Sequence, residues 1–518
     1  MRKWLWVYGL ILVIAAGLRL YNLGRRSLWF DEATEFWVAK APTTQLLPCI
    51  KRSIQDPPLY SILLHLWVRL GESEFFLRLP SVIFSLAGIV ALMYWGVREI
   101  GWQWGWLPAW GATLAESDIR FAQEVGQYAP AIAFLAWSLF FLSEFYRSGT
   151  RNSLIAWMLC SILAIYTYYG SGISLPLTAG VMLLYLLKEK KFRQALHLGF
   201  AGIGVAVAVL PLLLFWIPDQ LFRGPTAEAF QIQSETAFWD ALEKFPTLFI
   251  EYILYQFMAY VYKGWDWGEG GGWLVWLPVV LLIGWGAYRS RLAWIFSAWA
   301  VGMLIYYGIS QFKLYPFGGR HSLVFEPHFW MAVGMSIALL MQGNIWHKII
   351  GGTAVAALLL ANIKFPAEPP EDLRSIAKLW LNLRGEKDTT YVYYGAVHGL
   401  QYQLSRLAPR LYATDGLIPN WYDSCWQGKA IPPCRPAGLI YGKWLRQMTP
   451  EQKREDILAA AGYPQKFWII ASHMFPGEMN VILQQLSLDY QITQSFVRDN
   501  AVLLLMERKA KTTSESPR

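Results

Sequence analysis

Carboxylates recur where this sequence meets its apolar runs. The stretch RLYNLGRRSLWFDEATEFW at 19–37 sets Asp31 and Glu32 side by side just after an aromatic pair. Asp56 follows in QDPPLYSILLHLW at 55–67, and EFFLRLPS at 74–81 carries Arg78 to the mouth of an apolar run. ESDIRFAQEVGQYAP at 116–130 adds Glu116, Asp118, Glu124 and Tyr128. Lys313 precedes GGRHSLVFEPHFWM at 318–331, which adds Arg320 and His321. A carboxylate can take the proton of a weak nucleophile such as a hydroxyl as it attacks. A guanidinium can grip a pair of anionic oxygens as a fork.

Each acid also has a plainer reading. Asp31 can be a helix N-cap, because an amphipathic stretch follows it. Glu32 can be an exposed first-turn acid. Asp56, before Pro-Pro, can be a turn residue. Their company favours function: several acids lie at the ends of apolar runs, beside aromatic residues, where desolvating a charge is costly. No His, Cys and Asp cluster has metal-ligand spacing, so the sequence assigns no metal and leaves a divalent cation open.

The elements that position these residues are set by an unusual composition. The 518 residues are 55% hydrophobic and 16% aromatic, and only 16% are charged, against about 25% charged in soluble domains. The 28 Trp suit rings that sit at the headgroup level of a bilayer. A net charge of +9 does not indicate nucleic acid, because the basic residues are scattered through short loops and not gathered on one domain.

A spanning helix needs about 20 mostly apolar residues. About eleven candidates fit, near 4–21, 79–97, 102–116, 127–145, 153–169, 172–187, 195–217, 272–288, 292–309, 323–342 and 349–364. The first reads as a retained span and not a cleaved leader, because no small-residue cleavage site follows it. With the N-terminus inside, twelve basic residues fall in inside segments: Arg2, Lys3, Arg98, Arg147, Arg151, Lys188, Lys190, Lys191, Arg193, Arg289, Arg291 and Lys348. Three fall in short outside loops: Arg120, Lys313 and Arg320. That bias places the loops 22–78 and 218–271, and everything after 364, on the extracytoplasmic side. The run 245–262 carries Glu251 and several tyrosines and reads as an interfacial helix.

The texture changes after 364. Strand-length apolar runs appear at 389–395, 466–472 and 501–508, with helical patterns at 371–383 and after Pro476. This predicts a small α/β domain over 365–510, following a transmembrane domain over 1–364, with a disordered tail at 511–518. Cys425 and Cys434, with eight residues between them, can form a disulfide outside the cytoplasm.

On the stretches LGRRSLWFDEA (23–33), DPPLYSILLHLW (56–67), LRLPS (77–81) and AQEVGQYA (122–129), the chain resembles the polytopic, lipid-phosphate-dependent glycosyltransferases of the GT-C fold. More narrowly, it resembles the glycosyltransferase family 39, protein O-mannosyltransferase-like enzymes, and is similar to the lipid A aminoarabinose transferases. The resemblance implies a multi-pass protein of the plasma (inner) membrane that moves a sugar from a polyprenyl-phosphate donor to an acceptor on the extracytoplasmic face. The acceptor can be a protein, a glycan or a lipid. In such enzymes the first-loop acid is the catalytic base, a role that falls on Asp31 with Glu32 beside it. Arg320 and His321 resemble the basic pair that meets the phosphate, with Arg78 and Lys313 as further cations. Asp56, Glu124 and Tyr128 fall in matching stretches and are expected to bind substrate. The chain departs from the pattern at Gly126, where relatives often carry Arg, and at Asp56, where many carry His or Lys. The competing reading is a transporter or flippase of lipid-linked sugars, which often shows related halves; no such repeat is visible.

Overall fold

A computed structural model describes residues 2–53, 56–223, 272–290, 293–315, 319–362, 371–385, 387–409, 438–442, 448–474 and 477–510. The run 245–262, Cys425, Cys434 and the tail 511–518 lie outside the described residues. The chain forms two units. One holds Met1–Leu23, Ile50–Gly71 and Phe75–Ala367; the other holds Gly24–Cys49, Glu72–Glu74 and Glu368–Arg518. The first-loop segment with Asp31 therefore folds with the C-terminal residues.

The first unit is helical. Among the described residues, six stretches are long and apolar enough to cross a membrane: Glu74–Ile100, Tyr128–Ser148, Ser171–Lys188, Phe192–Gln220, Ala293–Gln311 and Arg320–Met341. Trp4–Leu20 and Arg151–Thr167 are shorter apolar helices. Gly272–Arg289 and Ile345–Asn362 occupy two further sequence candidates. The chain is a multi-pass membrane protein. The span Arg320–Met341 is 94% buried, whereas Phe192–Gln220 is 22% buried, so the first is a central helix and the second a peripheral one. Phe200, Ile203, Val207 and Leu214 lie exposed along that peripheral helix. In water such a stripe would be unfavourable; against lipid tails it is the expected surface.

The candidate at 102–116 folds differently from its expectation. It gives α6 (Leu107–Leu114), broken from α7 (Glu116–Ala122) at Ala115, which has ψ 124. Eight residues at 1.5 Å each reach about 12 Å, well short of the roughly 30 Å hydrocarbon core. A helix ending inside the protein leaves carbonyls without partners. Arg19, fully buried in α1 (Arg2–Leu20), supplies them: it donates to the carbonyls of Ala112 at 3.1 Å and Thr113 at 3.1 Å, and to Ser85 Oγ at 2.7 Å. In return the Gln123 amide donates to Leu18 O, Arg19 O and Tyr21 O at 3.1, 3.1 and 2.9 Å, closing the end of α1. Gly111 lets α6 lie against Trp330, since a Cβ there would sit 2.3 Å from that ring.

Among its described residues, the second unit holds a five-stranded sheet of order β2-β1-β3-β5-β4. The strands are β1 (Thr389–Val392), β2 (Leu439–Tyr441), β3 (Lys466–Ala471), β4 (Tyr490–Arg498) and β5 (Ala501–Arg508). β1 pairs parallel with β2 and β3, and β5 pairs antiparallel with β3 and β4. The central β3 is buried at every position after Lys466, which explains its unbroken apolar sequence. The three strand runs read from sequence become β1, β3 and β5. The short β2 and the largely exposed edge strand β4 carry too little apolar signal to be read that way. Helices Leu373–Leu383 and Val397–Leu407 complete the part of the unit that meets the first-loop segment.

Candidate active site

Asp31 lies in α2 (Phe30–Ala39), in the second unit. The helix starts there because Phe36, Trp37 and Val38 bury a face of it. The Trp37 indole donates to His398 O at 3.1 Å, and Phe36 packs edge-on to Tyr402 at 5.0 Å. Arg374 holds the preceding chain by donating to the carbonyls of Gly24, Arg25 and Arg26 and to the Glu74 carboxylate. The residue at the N-cap position is Trp29, so Asp31 sits within the first turn and does not cap it. Glu32 turns back instead: its Oε2 accepts from the Trp29 amide at 3.4 Å, and the residue is 1% exposed. Asp31 keeps partial exposure. Burial, and then the negative charge of Asp31, push the Tyr394 hydroxyl above the usual phenol range.

A second constellation lies in the first unit. Arg320 and His321 fall on a 3-10 turn, Gly319–Phe325, that leads into the central helix Glu326–Met341. The Arg320 guanidinium stands 5.8 Å from the centre of the Tyr128 ring. His321 Nδ1 lies 2.7 Å from the Tyr168 hydroxyl, and its carbonyl accepts from Tyr306 at 3.0 Å. Tyr315 meets the same imidazole edge-on at 5.8 Å, and Tyr128 packs on Tyr168 at 5.4 Å. Asp56 joins from the neighbouring positions: its Oδ2 accepts from Gln127 at 2.7 Å, and its carbonyl from Gln220 at 3.2 Å. Gln220 is in turn bonded by the Tyr169 hydroxyl.

Tyr128, Arg320 and His321 are therefore brought together, with Asp56 linked to them through Gln127. Arg78, 2% exposed, is turned to the carbonyl of Leu23 at 2.9 Å. Glu124 accepts from Arg120 at 3.1 Å, four residues before it. Lys313 is exposed in a left-handed turn at φ 55. Glu326 takes bonds from Ser117 and Trp330, each at 3.1 Å. Tyr168, Tyr169, Tyr315, Gln127 and Gln220 escaped the sequence reading, because isolated Tyr and Gln at helix ends carry no spacing signal of their own. Among the described residues, no group of three or more His, Cys, Asp or Glu could hold a metal ion. A cation braced by an aromatic ring and a tyrosine-anchored imidazole can bind an anion, and forked Arg recognition suits phosphate.

No protein-family model matches the chain, and a search of curated proteins returned no match. Solved structures do match. The crystal structure of ArnT from Cupriavidus metallidurans in the apo state is similar at a TM-score of 0.52, with 13% identity, covering 98% of each chain. The same protein bound to undecaprenyl phosphate is similar at a TM-score of 0.50, with 12% identity, covering 96% of this chain and 98% of that one. The likeness runs over nearly the whole of both chains, helical unit and sheet unit included, and the fold is the GT-C fold that the sequence resemblance implied.

Proposed function

We propose that this chain is a membrane glycosyltransferase that takes its sugar from a polyprenyl-phosphate carrier. Asp31 is its general base, on the extracytoplasmic face, and Arg320 with His321 receives the carrier phosphate. The observation that carries this reading is the Arg320, His321, Tyr128 and Tyr168 cluster, in a chain with the fold of a protein solved with undecaprenyl phosphate. The Asp31 carboxylate takes the proton of an acceptor hydroxyl as its oxygen bonds to the anomeric carbon. The carbon–oxygen bond to the carrier breaks, the electron pair leaves with the phosphate, and Arg320 stabilises the charge that develops. The position of Asp31 supports this assignment: it lies in the first turn of α2 and keeps partial exposure, while Glu32 beside it is buried and bonds the Trp29 amide.

The test is the affinity of the purified protein for undecaprenyl phosphate, measured with its melting temperature. Arg320→Lys keeps the charge but loses the fork, and Arg320→Ala loses both. Affinity is expected to fall about tenfold in the first and further in the second, with unchanged melting. Unchanged affinity in Arg320→Ala would remove Arg320 from the phosphate site.

A further inference from the structure

The side chain just before Asp31 is gripped by residues more than 340 positions away in sequence. Phe30 stacks on the imidazole of His473, centroids 4.6 Å apart and planes 15° from parallel. His398 meets the same Phe30 ring edge-on at 5.4 Å, and Tyr394 meets it at 5.7 Å. The neighbouring Trp29 also packs on His473, at 5.8 Å. The imidazole is itself held in place. Its Nδ1 lies 2.8 Å from Oε1 of Glu371, a carboxylate 3% exposed whose other oxygen accepts from Ser472 at 3.3 Å. His473 also has a left-handed backbone at φ 53, a conformation that Asn, Asp and His tolerate better than other side chains.

All of these residues belong to the second unit. The imidazole is the face on which the start of α2 rests, and α2 carries Asp31 in its first turn. A base must reach the proton it takes within about 3 Å, and a misplacement of about 1 Å can cost about 100-fold in rate. We infer that Glu371 and His473 are positioning residues for Asp31: Glu371 fixes the His473 ring, the ring fixes Phe30, and Phe30 sets where the carboxylate is presented. The sheet unit then takes part in the catalytic apparatus through this stack of rings. This rests on the reading of Asp31 as the base.

The test compares full-length variants in membranes for release of polyprenyl phosphate from polyprenyl-phosphate-linked sugars, alongside undecaprenyl phosphate affinity and melting temperature. His473→Asn suits the left-handed backbone but removes the ring. It is expected to lower kcat about 30- to 100-fold, with the affinity for undecaprenyl phosphate and the KM for the donor unchanged. Glu371→Gln keeps an acceptor oxygen for the His473 ring and is expected to hold kcat within about fivefold of the parent, whereas Glu371→Ala releases the ring and is expected to lower kcat about tenfold. Combining His473→Asn with Asp31→Asn is expected to cost no more than Asp31→Asn alone, as for groups that act as one unit. Normal kcat in His473→Asn, beside an inactive Asp31→Asn, would overturn the positioning role and leave the base in place. Normal kcat in Glu371→Ala, or a loss of kcat in His473→Asn matched by a loss of donor affinity, would also overturn it. Full turnover in Asp31→Asn would overturn the base assignment, and the positioning role with it.

Discussion

Two adjacent carboxylates at the start of α2 have separate work. Glu32 is buried and bonds back to the Trp29 amide, closing one of the open donors at the helix start, while Asp31 stays partly exposed. Glu32→Ala is expected to lower stability by about 1 kcal/mol through loss of that cap, and Glu32→Gln, which keeps an acceptor oxygen, by less; thermal melting of the purified protein checks both. The sequence showed that an acid pair follows an aromatic pair. It did not show which acid bonds back to the helix start, because either can until the surrounding packing is known. Glu371 and His473 had no local signature, since nothing in their spacing ties them to each other or to Asp31. Arg320 and His321 were legible as a basic pair ahead of an apolar run. The tyrosines that brace them come from distant helix ends, and only the fold assembles those.

Among the elements, apolar length was a good guide wherever a helix crosses the membrane, as at Glu74–Ile100 and Tyr128–Ser148. It failed at 102–116, where apolar content matched a span but the chain breaks at Ala115. The polar run Glu116-Ser117-Asp118 directly after that break was the available signal. The break is sustained by Arg19, whose guanidinium meets the carbonyls that end α6 and lies within electrostatic reach of Asp118 and Glu326. Arg19→Met fits the same apolar space but leaves those carbonyls and acids without their cation. A loss of about 3 kcal/mol is expected, because removing one member of a buried charge set exposes the cost of the others. Melting in detergent checks this; an unchanged melting temperature would show that water or relaxation replaces the guanidinium.

For the whole molecule, the proposed orientation follows from the excess of basic residues in one set of loops, and it puts the sheet unit, with Asp31, on the extracytoplasmic side. Protease added to intact spheroplasts is expected to remove the C-terminal residues, and cleavage only from the cytoplasmic side would reverse the orientation. Fold class was legible because lipid imposes a coarse pattern of apolar lengths. The folding of the first-loop segment with the C-terminal unit was not, because it rests on side-chain contacts such as Trp37 with His398 and Arg374 with Gly24. The proposed transfer depends on a carboxylate that takes a proton from the acceptor. The most direct test is Asp31→Asn, which keeps the size and one acceptor oxygen and removes the base. Release of polyprenyl phosphate from polyprenyl-phosphate-linked sugars is expected to fall about 100- to 10,000-fold, with undecaprenyl phosphate affinity and melting temperature unchanged. Turnover within a few-fold of the parent would contradict it.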